Sequence, residues 1–163
     1  MQKAGIEMND RSGMDVVRQI RQAYEAWCKP LCRELGMPQM AFDILIFLSV
    51  NPERCTARDI NRHHGFKENI LSVNINKLVS EGYLERQNVE GDRRKVRLAL
   101  TEKAQPIIAR GNRALEEFNR LIQEGITPEE LAVFNKCLRV AGENARKIQT
   151  ITSYQESRNE DHI

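Results

Sequence analysis

No apolar run in this chain of 163 residues approaches the ~20 needed to span a bilayer. The opening residues, "MQKAGIEMNDRSGMD", also lack the apolar stretch of a secretory signal. Cysteine is scarce, at Cys28, Cys32, Cys55 and Cys137, and no two form a CxxC pair. A reduced protein of the cytoplasm, with no membrane partner, is therefore expected. With three histidines there is no Ser/His/Asp or Cys/His constellation and no HExxH, and a glycine-rich phosphate loop is missing. No enzyme activity, cofactor or metal is expected. Charge of one sign is lacking too, since the net charge is only +2. No period of 20–50 residues marks a repeat array.

The charge that is present is unevenly placed. Arg54 to Lys103 hold 11 Lys/Arg against 7 Asp/Glu, and the rest of the chain 14 against 16. The densest cluster is Arg93, Arg94, Lys95 and Arg97, within "VEGDRRKVRLALTEKA". Like charges crowded at the tip of a turn repel one another, so a partner outside the chain is expected to neutralise them.

Periodicity organises the rest into a mainly α fold with a small β-hairpin. A helical stripe runs from Met14 to Leu35, with Pro30 expected to kink it and Gly36 to stop it. A second helix covers Pro38 to Val50. Thr56 and Asp59 have capping-box spacing before a short helix ending at Gly65. The next helix runs from near Lys67 to Gly82 and buries Leu71, Asn74/Ile75, Leu78 and Val79. Two helices about a short glycine turn are a helix-turn-helix candidate. "YLERQNVEGDRRKVRLALT" then reads as two strands around Glu90-Gly91-Asp92. Together they predict a winged helix, with one helix in the major groove and the hairpin tip on backbone or minor groove.

Two further helices follow, Thr101 to about Gly125, and one capped by Thr127-Pro128-Glu129-Glu130 with the stripe Leu131, Phe134, Leu138, Ala141, Ala145, Ile148. A winged helix of ~60 residues is too small to cover these stripes and that of the first helix. They are expected to pair with a second copy, and a two-fold dimer would present two recognition helices to a pseudo-palindromic duplex. The resulting division is a helical dimerisation region over 14–37 and 102–150, a DNA-binding winged helix-turn-helix over 38–101, and disordered tails at 1–13 and 152–163.

The order of these helices, with "KLVSEGYLER" (Lys77 to Arg86) and the wing "GDRRKVRLALTEKA", resembles the MarR family of winged-helix transcriptional regulators over about residues 14 to 150. The resemblance implies a cytoplasmic homodimer that binds double-stranded DNA, often as a repressor, frequently released by a small-molecule effector or an oxidant. This chain departs from the family's common pattern at Val73, Asn74 and Lys67, so base preference does not carry over.

On the recognition helix the outward residues are Asn69, Ile70, Ser72, Val73, Asn76 and Lys77. Asn suits adenine, Ser either partner, and Val or Ile a thymine methyl. Lys67 and Lys77 suit phosphates, as does Arg58 on the preceding helix. In the wing, Arg94 leads, oriented by Asp92, with Arg93 and Lys95 beside it. The resemblance also places Tyr24, Trp27, Phe42 and Ile46 along an apolar cleft, the candidate ligand pocket. Cys28 and Cys32 share a helix face, a spacing that suits packing better than a disulfide. His63 and His64 adjoin but point apart. The competing readings are a winged-helix protein-interaction module, and a ligand- or metal-sensing protein without specific DNA binding.

Overall fold

In the computed structural model the backbone is described for residues 10–89 and 92–160, and side chains for residues 13–88 and 96–148. Its elements run α1 (Asp10–Glu34), α2 (Gln39–Val50), α3 (Ala57–His64), α4 (Glu68–Ser80), β1 (Leu84–Val89), β2 (Asp92–Leu100), a single 3-10 turn (Glu102–Ala104), α5 (Gln105–Ile122) and α6 (Pro128–Glu160). The chain divides into two compact units, Met1–Asn119 and Arg120–Ile163.

In the first unit α2 is the centre. Ala41, Phe42, Ile44, Leu45, Ile46, Phe47 and Leu48 are all buried, so this helix is apolar nearly all round, as a helix enclosed by others must be. Cys28 and Cys32 of α1, Ile60 of α3, Leu71, Ile75 and Leu78 of α4, Leu84 and Leu98 of the hairpin, and Ile107 and Ile108 of α5 complete one core. Gly111 is what lets α5 approach. A Cβ there would overlap Ile46 Cδ1 and lie 3.0 Å from two atoms of the Phe42 ring.

The helix-turn-helix is fixed locally. Thr56 Oγ1 accepts from the Asp59 amide at 3.2 Å, and the Thr56 amide donates to Asp59 Oδ2 at 3.1 Å, a complete capping box. Gly65 ends α3 in the left-handed region at φ 66°, where any other residue would be strained. Antiparallel β1 and β2 pair from Leu84↔Leu100 to Asn88↔Val96, then shift register before Val89↔Asp92. The hairpin is tied back by Leu98 N–H to the Cys55 carbonyl at 2.7 Å and by Thr101 Oγ1 to the Gly82 carbonyl at 2.6 Å.

The second unit holds the end of α5 and α6. A second capping box opens α6: the Glu130 amide donates to Thr127 Oγ1 at 3.3 Å, and the Thr127 amide to Glu130 Oε2 at 2.9 Å. These bonds lower the Glu130 pKa. Val133, Phe134, Leu138, Val140 and Ile148 are exposed along α6.

Three expectations need revising. α1 begins at Asp10, four residues before Met14, with Pro30 inside it as expected. α6 continues to Glu160, so the stretch 152–160 expected to be a disordered tail is helical backbone. The predicted long helix from Thr101 opens instead with the 3-10 turn. The rest of the expected tails, residues 1–9 and 161–163, and the turn residues Glu90 and Gly91 lie outside the described residues.

Candidate nucleic-acid interface

α4 separates its residues cleanly. Leu71, Ile75 and Leu78 face the core, while Asn69, Ile70, Ser72, Val73, Asn76 and Lys77 are exposed on the other side. Val73 is 65% exposed and Ile70 43%. Two β-branched apolar side chains left in water on a helix otherwise firmly docked point to a surface that something else covers. Lys67 occupies the N-cap of α4 and offers no side-chain acceptor; Asn69 Oδ1 takes one first-turn amide, that of Ile70, at 2.9 Å. Lys77 Nζ lies 3.8 Å from Glu81 Oε1, a solvent-exposed pair, and Arg58 is exposed on α3.

Asn74 is drawn inward. Its Nδ2 donates to the Ile70 carbonyl at 2.9 Å and to Met40 Sδ at 3.2 Å, linking the recognition helix to α2. Asn76 is also engaged, because Arg86 of β1 donates to its Oδ1 at 2.6 Å. Further along the wing, Arg97 Nε donates to the buried Cys55 Sγ at 3.0 Å. Asp92, Arg93, Arg94 and Lys95 stand on the β2 backbone at the wing tip; their side chains lie outside the described residues.

The four residues expected along an apolar cleft take different surroundings, although Tyr24 and Trp27 both pack on Phe118. Phe42 and Ile46 are buried in the core against Gly111. Trp27 donates from Nε1 to the Ala114 carbonyl at 2.8 Å and lines a small hollow of about 340 Å³ with Pro30, Leu31, Glu34, Arg110 and Arg113. An ion pair between Glu34 and Arg110 crosses that hollow. Tyr24 alone borders the larger cleft, about 1000 Å³, between α1, α2 and the α3–α4 turn.

That cleft carries the more informative chemistry. Arg21, Glu25 and Lys29 come from α1, Gln39, Met40 and Asp43 from α2, and His64, Phe66, Lys67 and Ile70 from the turn and the start of α4. Tyr24 Oη donates to Asp43 Oδ1 at 2.7 Å, and Gln39 Nε2 donates to the same oxygen at 3.2 Å. Burial raises the Asp43 pKa, although both hydrogen bonds pull it back; burial and the Asp43 charge raise that of Tyr24. His64 stacks on Phe66 with ring centroids 4.7 Å apart, and its buried Nε2 has no hydrogen-bond partner. Burial, helped by neighbouring His63, lowers its pKa to about 4, so the ring is neutral near pH 7.

Burial also pushes the Cys28 thiol up and that of Cys32 to about 11. Both side chains lie in the buried core, where the reactive thiolate form is disfavoured. Among the described residues no three His, Cys, Asp or Glu side chains gather as a metal site. Nor is any helix of the described residues long and apolar enough to cross a membrane. Sequence reading missed Asp43, Gln39, Arg86, Arg21 and Lys29. Asp43 had the clearest available signal, as a lone carboxylate in the otherwise apolar "MAFDILIFL".

Residues 35–95 match the sequence profile of the MarR family. Solved structures share the fold over nearly their whole length. The transcriptional regulator PA3341 is 25% identical with a TM-score of 0.68, over 81% of this chain and 98% of that one. A MarR-family transcriptional regulator from Silicibacter pomeroyi is 19% identical with a TM-score of 0.73, over 88% and 96%. BpsR of Bordetella bronchiseptica, whose DNA binding is regulated by 6-hydroxynicotinic acid, is 18% identical with a TM-score of 0.63, over 80% and 98%. Residues 35–95 thus carry a winged helix of the MarR type, and the chain shares its fold with these regulators over most of its length.

Proposed function

We propose that this chain is a homodimeric DNA-binding repressor of the cytoplasm, released from a pseudo-palindromic duplex by a small-molecule effector. Residues 38–101 act as the winged helix, and 14–37 with 102–150 as the dimerisation region. The exposed apolar faces support pairing with a second copy: Met14, Val16, Val17 and Ile20 on α1, and Phe134, Leu138 and Ile148 on α6. On α4, Asn69, Ile70, Ser72, Val73 and Asn76 read base edges, while Lys67, Lys77 and Arg58 hold phosphates. Arg94, oriented by Asp92 and flanked by Arg93 and Lys95, anchors the wing.

One observation carries the regulatory half of this reading. Lys67 and Ile70 belong to the DNA-facing set and also line the large cleft. A molecule seated there touches the first turn of the recognition helix, so occupancy and duplex binding are energetically coupled. The cleft's cations, Arg21, Lys29 and Lys67, with the flat faces of Tyr24 and Phe66, suit a small aromatic acid. The compound regulating the Bordetella relative is of that class.

Selecting duplexes from random DNA with the purified chain tests the reading. It predicts an inverted repeat bound by two chains and weakened by a small aromatic acid. A chain that selects no duplex at physiological salt contradicts it and favours a protein-interaction module. A ligand bound tightly by a chain that selects no duplex favours a sensor without specific DNA binding.

A further inference from the structure

Asn76 projects from the same outward face of α4 as Asn69 and Val73, seven and three residues before it, where base edges would lie. An asparagine amide facing a groove ordinarily reads adenine, its oxygen accepting from N6 while its nitrogen donates to N7. Here the oxygen is engaged. Arg86 donates from Nη2 to Asn76 Oδ1 at 2.6 Å, across from β1 to the recognition helix. A guanidinium bond is charge-assisted, which makes it the stronger claim on that oxygen. With Oδ1 turned to Arg86, Nδ2 is the amide atom left for another partner. The remaining Arg86 N–H groups are donors too, and guanidinium has no acceptor to offer. Oδ1 keeps a second lone pair, but the guanidinium beside it adds positive charge and further donors there, so the pair as a whole favours an acceptor edge.

We propose that Arg86 is a positioning residue for sequence readout: by holding Asn76 Oδ1 it turns Asn76 from an adenine reader into a donor for an acceptor-only edge, that of guanine. Guanine offers O6 and N7 as acceptors, whereas adenine puts the N6 amino group where a second donor would confront it. The inference rests on the DNA-binding reading above. It adds a residue that the sequence pattern did not single out, since Arg86 lies ten positions from Asn76 and on a different element.

The test is duplex selection with four proteins: the unaltered chain, Arg86→Ala, Arg86→Lys and Asn76→Ala. Asn76→Ala identifies which base position in each half-site the amide reads, as the one whose preference relaxes. At that position the unaltered chain should prefer guanine, by roughly tenfold over adenine. Arg86→Ala frees the oxygen and should shift the preference to adenine, while Arg86→Lys, which keeps a cationic donor, should retain guanine. Because Arg86 is exposed, each variant should melt within a few degrees of the unaltered chain. If Arg86→Ala weakens every duplex equally and leaves the base preference unchanged, Arg86 is a phosphate contact and the inference is overturned. If the unaltered chain selects no duplex at all, the DNA-binding reading fails instead, and this inference with it.

Discussion

Tyr24 on α1 donates its phenolic hydrogen to Asp43 on α2 at 2.7 Å, and this bond holds a half-buried carboxyl at the floor of the large cleft. The bond compensates only part of what burial costs the charged form, so the Asp43 pKa stays above its ordinary 3.8. The folded chain therefore binds the Asp43 proton more tightly than the unfolded chain does. The associated stability is complete below about pH 4 and is lost as pH rises through the folded-state value.

Asp43→Asn, which keeps an acceptor for Tyr24 without the charge, should gain stability relative to the unaltered chain as pH rises from about 4 toward 7. Urea midpoints across that range measure it, and parallel curves would contradict it. Tyr24→Phe should lower stability by about 1–2 kcal/mol near pH 7, because the half-buried carboxylate then loses a hydrogen bond.

His64 has the opposite dependence. Its pKa falls from 6.5 to about 4, so the unfolded state takes up the proton first as pH drops. The stability from the neutral ring is complete above pH 6.5 and disappears by about pH 4. His64→Phe, which preserves stacking on Phe66, should flatten this part of the stability profile. The ring carbon-proton resonances of His64 should shift with a midpoint near pH 4; a midpoint near 6.5 would show that the ring is solvated.

Gly111→Ala should destabilise the chain by about 1–3 kcal/mol, despite the better helix propensity of alanine, because the methyl group meets Ile46 and the Phe42 ring. Ile46→Val in the same chain removes the overlapping Cδ1 and should recover part of that loss. Denaturation midpoints of the two single variants and the double variant measure the coupling. An alanine variant as stable as the unaltered chain would mean that α5 does not need to approach α2 this closely.

Local chemistry made much of the fold legible in advance. The Thr56/Asp59 capping box, the Gly65 stop and the burial of Leu71, Ile75 and Leu78 follow from spacing within one or two turns. The hairpin follows from alternation, with Leu98 buried and its neighbour Arg97 exposed. What escaped depends on distant partners. The close approach of α5 to Phe42 and Ile46 depends on Gly111, some 65 positions later. The Tyr24–Asp43 bond spans 19 positions and the Arg86–Asn76 bond joins a strand to a helix, neither within reach of a periodic pattern. The last ten residues of α6 carry no apolar stripe, so only the helix propensity of residues such as Gln155, Glu156 and Arg158 marked them.

The exposed stripe of α6 makes a separate prediction. Phe134→Asp with Leu138→Asp places two charges on the face proposed to pair with a second copy, where unpaired buried charge is costly. Sedimentation should show the unaltered chain as a dimer and the double variant as a monomer at the same micromolar concentration. A variant that remains dimeric would place the interface elsewhere.

The central claim is that two basic winged helices, joined in one dimer, grip one duplex. Its most direct measurement is the salt dependence of affinity for the selected duplex, with the unaltered chain and with Arg94→Ala. Each neutralised phosphate contributes about −0.9 to the slope of log affinity against log salt concentration. Losing one wing contact from each of two subunits should therefore make the slope shallower by about 2 and weaken binding strongly, with two chains still bound per duplex. An unchanged slope and affinity for Arg94→Ala, or a single chain bound per duplex, would contradict the account.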